Sequence, residues 1–311
     1  MKQVGLVGAR GFVGGELIRA MQGHAEFELA YASSRALHGQ LLRRAVPGSS
    51  SNLQFERLEP EDLAEREVDI VVLALPNELA ARFASALPAS TIVIDLSADY
   101  RFDDEWYYGL PELTRAQAAG HTRISNPGCY ATAMQLALYP IRDLLDGPAA
   151  CFGVSGYSGA GTKKSRYNNP TELDKNLIPY KTINHIHERE VGRQLGADVH
   201  FTPHVASFFR GILMTVNARF QAPVSLEALQ LRYTDLYANE ALIELTEDVP
   251  MVNASVGRSG ATLGGFAVSE DGLRAVVHCT LDNLLKGAAT QALQNMNLAC
   301  GLNELEGIRL G

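Results

Sequence analysis

Gln3-Val-Gly-Leu-Val-Gly-Ala-Arg-Gly-Phe-Val-Gly14 carries a short strand-forming run straight into glycines at positions 8, 11 and 14. Helical spacing follows to Gln22. Glycines between a strand and a helix allow a tight turn and let backbone N–H groups approach an anion at the positive end of the helix. Taken alone, the spacing suits either a bare turn or a dinucleotide loop made by Gly8, Arg10, Gly11, Phe12, Val13 and Gly14. The next strand, Phe27 to Ala32, runs into Ser33-Ser34-Arg35 rather than an acidic residue. Two hydroxyls and a guanidinium suit a 2′-phosphate, which makes NADP, as NADPH, the expected cofactor.

Further strands are expected at Asp69 to Leu75 and Thr91 to Leu96, with helical stretches between. Such alternation predicts a Rossmann-type, doubly wound parallel sheet. Beyond about position 150 the strands lengthen: Phe152 to Ser155, His200 to Pro203, Gly211 to Phe220 and Leu273 to Thr280. Helices are expected at 187–196 and 225–240. This half reads as an α+β domain with a mixed, mainly antiparallel sheet and helices on one face. Asn283 to Leu302 has the pattern of one amphipathic helix returning to the first domain. The expected division is therefore 1–128 with 283–311, and 129–282.

Composition narrows the function. The 311 residues are 46% hydrophobic and 20% charged, with a net charge of −8 and no long basic cluster. That speaks against nucleic acid and against an acidic membrane surface. The apolar runs are too short to span a bilayer, and the first residues lead directly into a strand, so a cytoplasmic protein without a leader is expected. Four cysteines, Cys129, Cys151, Cys279 and Cys300, lie far apart without metal or disulfide spacing. Reduced thiols and no metal site are the expectation.

One thiol stands apart. In Ile124-Ser-Asn-Pro-Gly-Cys-Tyr-Ala-Thr-Ala-Met-Gln-Leu-Ala-Leu-Tyr-Pro140 the cysteine follows a Pro-Gly turn and opens a helical run. Amides and the macrodipole at a helix start stabilise a thiolate, which suits a nucleophile, although packing alone would also accept a cysteine there.

The same stretch closely resembles the active-site signature of the N-acetyl-γ-glutamyl-phosphate reductases, NADPH enzymes of arginine biosynthesis related to aspartate-semialdehyde dehydrogenases. The similarity continues through Asp95–Phe102, Tyr108–Leu113, Gly156–Gly161 and Asp282–Ala289, across nearly the whole chain. It implies Cys129 as the nucleophile, and Asn184-His-Ile-His-Glu-Arg-Glu190 as the His-x-His-x-x-Glu stretch supplying the acid/base from His185 or His187, His185 being preferred. Residues two apart do not share a helix face, so a helical stretch should bring only one of them to the thiol. The resemblance also implies Ser158, Gly159 and Asn283 at the cofactor. It implies Arg101, Asn126, Lys163, Glu190, His204 and Arg210 at the acyl-phosphate substrate, where arginine forks suit carboxylate and phosphate.

Three departures stand out. Arg189 takes the place of a usual proline, which leaves the local backbone open. Pro203–Gly211 lacks a mid-stretch proline, and Arg10 stands where a small residue is usual. The implied reaction is attack of the thiolate on the acyl phosphate followed by reduction of the thioester, in a homo-oligomer, dimer or tetramer. A sister enzyme acting on another acylated or carrier-bound amino-acid phosphate, and a non-catalytic NADPH-binding regulator, are the alternative readings.

Overall fold

The computed structural model describes residues 1–310, in two compact units. The first is Met1–Gly128 with Ala288–Ile308, and the second takes Cys129–Gly287 together with Arg309 and Leu310. Residues 283–287 and 309–310, expected with the first unit, thus cluster with the second.

In the first unit seven strands form one sheet: β1 (Lys2–Val7), β2 (Phe27–Ser33), β3 (Phe55–Glu56), β4 (Ile70–Leu73), β5 (Ile92–Asp95), β6 (Tyr107–Tyr108) and β7 (Arg123–Ser125). Their spatial order is β3-β2-β1-β4-β5-β7-β6, and every pair is parallel. The chain winds outward from β1 to β3, then returns to the other side of β1 with β4. That reversal is the switch point, where such sheets open a crevice beyond their strand ends. Ile70 to Leu73 are wholly buried, as expected for a strand covered on both faces.

Beneath this sheet lies the Thr290–Ala299 helix. The single amphipathic helix expected over 283–302 is instead a π-helical turn, Leu285–Ala289, followed by that α-helix. The helix is buried from Thr290 through Asn297 and has no solvent face. Its amides find partners inside: Gln291 Nε2 and Asn295 Nδ2 donate to the Gly109 carbonyl (3.0 and 2.9 Å), and Gln294 Nε2 donates to Glu112 (3.0 Å). Buried amides need such partners, and that is why a polar sequence can occupy the core here.

The second unit carries β8 (Ala149–Gly156), β9 (Leu177–Pro179), β10 (Val199–Ala206), β11 (Ile212–Arg219), β12 (Ile243–Leu245), β13 (Ala261–Val268) and β14 (Arg274–Leu281). The order is β12-β13-β14-β11-β8-β10-β9. Four pairs are antiparallel, and β8–β10 and β12–β13 are parallel. Strand β13, with Gly264 and Gly265 at its irregularity, was not anticipated from the sequence. Alternation sends Cys151, Phe201, Met214, Val216, Val277 and Cys279 to the face covered by helices Cys129–Leu138, Ile186–Leu195 and Leu226–Tyr237. Phe152, Thr202, His204, Thr215 and His278 point the other way.

Candidate active site

In the first unit, β1 ends at Gly8, whose φ of +85° favours glycine; an added Cβ would also lie 2.4 Å from the Ala74 carbonyl oxygen. The loop is pinned by the Ala9 amide on the Ser33 carbonyl (2.9 Å). Gly11 then caps the Phe12–Met21 helix, whose first turn holds no acidic residue. A Cβ on Gly11 would meet nothing nearer than 4.0 Å, so a pyrophosphate has room to approach the positive end of this ten-residue helix. Phe12 and Val13 are half-buried there, Gly14 is buried, and Arg10 is exposed. The loop therefore fits a dinucleotide.

The residues expected at the 2′-phosphate sit differently. Ser33 and Ser34 are buried, and the Ser34 hydroxyl accepts the Leu37 amide (3.2 Å), because the chain turns sharply at the end of β2. Arg35 is exposed and paired with Glu59 (2.5 Å), which holds that carboxyl below its usual range. Only Arg35 of the three presents a charged group to solvent.

Also in the first unit, Arg101 is 7% exposed. Its Nε donates to the Asn126 carbonyl (2.9 Å) and an Nη to the Leu96 carbonyl (3.0 Å). Asn126 is buried; its Oδ1 accepts from Asn295 Nδ2 (3.1 Å) and its Nδ2 donates to the Ala288 carbonyl (3.4 Å). Both residues brace the Asn126–Gly128 segment. Asp95, at the end of β5, is fully buried; burial raises its carboxyl to about 6 despite hydrogen bonds from the Ser97 amide and hydroxyl.

In the second unit Cys129 is the first residue of the Cys129–Leu138 helix and is half-exposed. The positive end of the helix dipole favours negative charge on the sulfur. The other thiols differ. Burial pushes Cys151 and Cys279 up to about 12 and Cys300 to about 11. Cys300 caps the last helix. Close to Cys129 runs the π-helical turn: a Cβ on Gly287 would stand 2.7 Å from the Cys129 Cβ, so only glycine lets the turn come so near.

His185 does not lie in a helix but caps one. It precedes Ile186–Leu195, and its Nδ1 accepts the His187 amide (3.1 Å). In this arrangement the neutral ring carries its proton on Nε2. Burial, then the nearby Lys181 charge, lowers its pKa to about 4. Tyr130, Tyr180 and Phe201 close around it edge-on, at 6.5, 5.7 and 5.3 Å between ring centroids. The half-buried His187 ring stands 4.8 Å from His185 and 6.1 Å from Tyr130, so both histidines face this aromatic group. Arg189 donates its amide to the His185 carbonyl (3.3 Å), a bond that a proline would forgo. Tyr130 and Tyr180 escaped the sequence reading; the only signal was adjacency of Tyr130 to the cysteine.

The remaining expected residues divide. Glu190 is 0% exposed within its helix. His204 lies on the opposite face of the sheet from Phe201, stacked on Phe152 at 4.3 Å, because strand alternation separates positions 201 and 204. Lys163 is exposed on the loop after Ala160. Arg210 is partly exposed, with its Nε on the buried Asp282 (2.6 Å). Asn283 Oδ1 accepts the Gly211 amide (2.7 Å) and its Nδ2 donates to Ser158 (2.9 Å), so the amide expected at the nicotinamide is already engaged. Ser158 is buried and Gly159 exposed. Among the described residues no cluster of three or more metal-ligating side chains occurs.

Residues 3–121 match the family model of the semialdehyde dehydrogenase NAD binding domain, and residues 129–283 that of the semialdehyde dehydrogenase dimerisation domain. The chain is 54% identical, over 99% of its length and 98% of the relative's, to the N-acetyl-gamma-glutamyl-phosphate reductase of Xanthomonas axonopodis pv. citri. It is 53% identical to the Stenotrophomonas maltophilia protein of that name, covering 98% of this chain and 97% of the other. Among solved structures, aspartate semialdehyde dehydrogenase II from Vibrio cholerae shares the fold, with a TM-score of 0.78 at 22% identity over 96% of this chain and 98% of that one. With both family models side by side and half its residues shared over full length, this chain belongs to the semialdehyde dehydrogenase family, and within it to the N-acetyl-gamma-glutamyl-phosphate reductases.

Proposed function

We propose that this chain reduces N-acetyl-γ-glutamyl phosphate to N-acetyl-glutamate 5-semialdehyde with NADPH, in arginine biosynthesis. The observation that carries the reading is Cys129 itself: a half-exposed thiol at a helix start, in a chain whose other thiols are pushed up by burial. The Cys129 thiolate attacks the acyl carbon, the carbon–oxygen bond to phosphate breaks, and phosphate departs with the electron pair. Bound NADPH supplies a hydride to the resulting thioester. Collapse of the hemithioacetal expels the thiolate and leaves the aldehyde, and the one proton consumed overall ends on phosphate.

The chain's own groups divide this work. The Gly8–Gly14 loop holds the pyrophosphate, and Arg35, released from Glu59, meets the 2′-phosphate. Release is cheap, since exposed ion pairs contribute only ~0–1 kcal/mol. His185, neutral and fixed by its cap, offers an N–H to the oxyanion, while His187 carries the proton. Arg210 holds an anionic group of the substrate, and the exposed Lys163 adds positive charge for it. Free thiols throughout suit a reducing cytoplasm; no helix among the described residues is long and apolar enough to cross a membrane.

The test is NADP-linked, phosphate-dependent oxidation of N-acetyl-glutamate 5-semialdehyde. Turnover that needs both phosphate and the acetyl group supports the reading, and activity only on aspartate semialdehyde contradicts it. The sheet face bearing Phe152 (43% exposed), Thr202 and Thr215 is the contact we assign to a homo-oligomer. Phe152→Asp should shift the sedimentation coefficient to that of a monomer; a wild-type monomer would refute the assignment.

A further inference from the structure

Asp282 lies outside every role assigned so far, yet it is fully buried and surrounded by donors. Its Oδ2 takes the Gly257 amide (2.7 Å) and forms an ion pair with the Arg210 Nε (2.6 Å), and its Oδ1 takes the Leu284 amide (2.9 Å). A carboxylate with two amide donors and a guanidinium against it is held in place. The other half of the residue points to the nucleophile. The Asp282 carbonyl accepts the amides of Leu285 (3.1 Å) and Gly287 (3.0 Å), and so anchors the π-helical turn that bears on Cys129. Next door, Asn283 fixes the Gly211 amide, and the Ser158 amide donates to the Phe209 carbonyl (2.9 Å). Arg210 is thus mounted from both sides: its flanking backbone by Asn283 and the Tyr157–Ser158 segment, its guanidinium by Asp282.

We propose that Asp282 is a positioning residue for the reaction: it aims the Arg210 guanidinium at an anionic group of the substrate, from the same residue that anchors the turn against Cys129. The proposal rests on the reading of Arg210 as a substrate clamp. An arginine seated on its Nε edge is pre-ordered, so less side-chain freedom is lost when an anion binds. The anion is the phosphate or the α-carboxylate, and separate Michaelis constants identify which.

The experiment is a double-mutant cycle of Asp282→Asn and Arg210→Lys, assayed with N-acetyl-glutamate 5-semialdehyde, phosphate and NADP. Asp282→Asn should raise the KM of one anionic substrate about tenfold or more, as loss of one partner of a buried ion pair implies. The kcat should change less than about threefold and the KM for NADP should not move. Arg210→Lys should reproduce the same selective rise, and the double variant should be no worse than the worse single. Effects that multiply, a fall in kcat alone, or an unchanged KM in Arg210→Lys would overturn the proposal. Should Asp282→Asn fail to fold, Asp282→Glu, which keeps the charge at shifted reach, takes its place in the cycle with the same criteria. Wild-type turnover reports separately on the substrate assignment, so failure of the reading and failure of the proposal are distinguishable.

Discussion

At the scale of single residues, the two histidines differ in what their ring nitrogens can do. His185 has given its Nδ1 to the His187 amide, which leaves an N–H on Nε2 and a ring that stays neutral down to about pH 4. It can polarise an oxyanion but cannot take up a proton on Nδ1 without uncapping its helix. His187 has no such duty on the helix start. His185→Asn should therefore lower kcat by a similar factor at every pH, of order 10²-fold for loss of one oxyanion donor. His187→Asn should remove a limb of the pH–rate profile. A limb lost in the first variant and kept in the second would reverse the assignment. The sequence reading preferred His185 as the acid/base, since a two-residue offset says nothing of which ring serves as a cap.

At the scale of elements, buried titratable groups at two ends of secondary structure respond to acid in opposite ways. Asp95 ends β5 with its carboxyl raised from 3.8 to about 6, so its proton is bound more tightly in the folded state. That contribution is fully present below pH ~3.8 and is lost as pH rises through about 6. His185 is lowered from 6.5 to about 4, and its contribution is present above 6.5 and lost as pH falls through about 4. Each is worth about 3 kcal/mol at most, less where solvent screens the charge. Acidification from pH 7 to 4.5 should thus lower hydrogen-exchange protection, corrected for intrinsic rate, in the Ile186–Leu195 helix. The same step should raise it around β5, relative to Asp95→Asn. Loss of protection at β5 that the variant shares equally would contradict the Asp95 sign, and a helix unmoved by acid would contradict the His185 sign. Elements whose core face alternates or repeats plainly, such as β1, β5, β10 and the Leu226–Tyr237 helix, were readable in advance. The π-helical turn and the polar buried helix after it were not: amides from 291 to 295 look like a solvent face until the Nδ2 and Nε2 groups are seen to donate to Gly109 and Glu112.

At the scale of the molecule, each unit has the fold that its sequence pattern implied: a parallel, doubly wound sheet in one, a mixed sheet with one helical face in the other. The site was legible in part. Cys129 and the glycine loop announce themselves through local chemistry, turn then helix, which short stretches encode fully. Glu190, His204 and Asn126 are expected at the substrate, and their places, two buried and one stacked on Phe152, depend on packing that spacing does not carry. Asp282 was silent for the same reason, since its partners Gly257 and Arg210 come from distant segments. The central claim is that one sulfur carries the acyl group between phosphate and hydride. Mixing the protein with N-acetyl-glutamate 5-semialdehyde and NADP in the absence of phosphate, then mapping peptides by mass spectrometry, tests it most directly. The account predicts an N-acetyl-glutamyl thioester on Cys129 that added phosphate discharges and that Cys129→Ser abolishes along with turnover. An acyl group on another residue, or a serine variant that turns over normally, would contradict it.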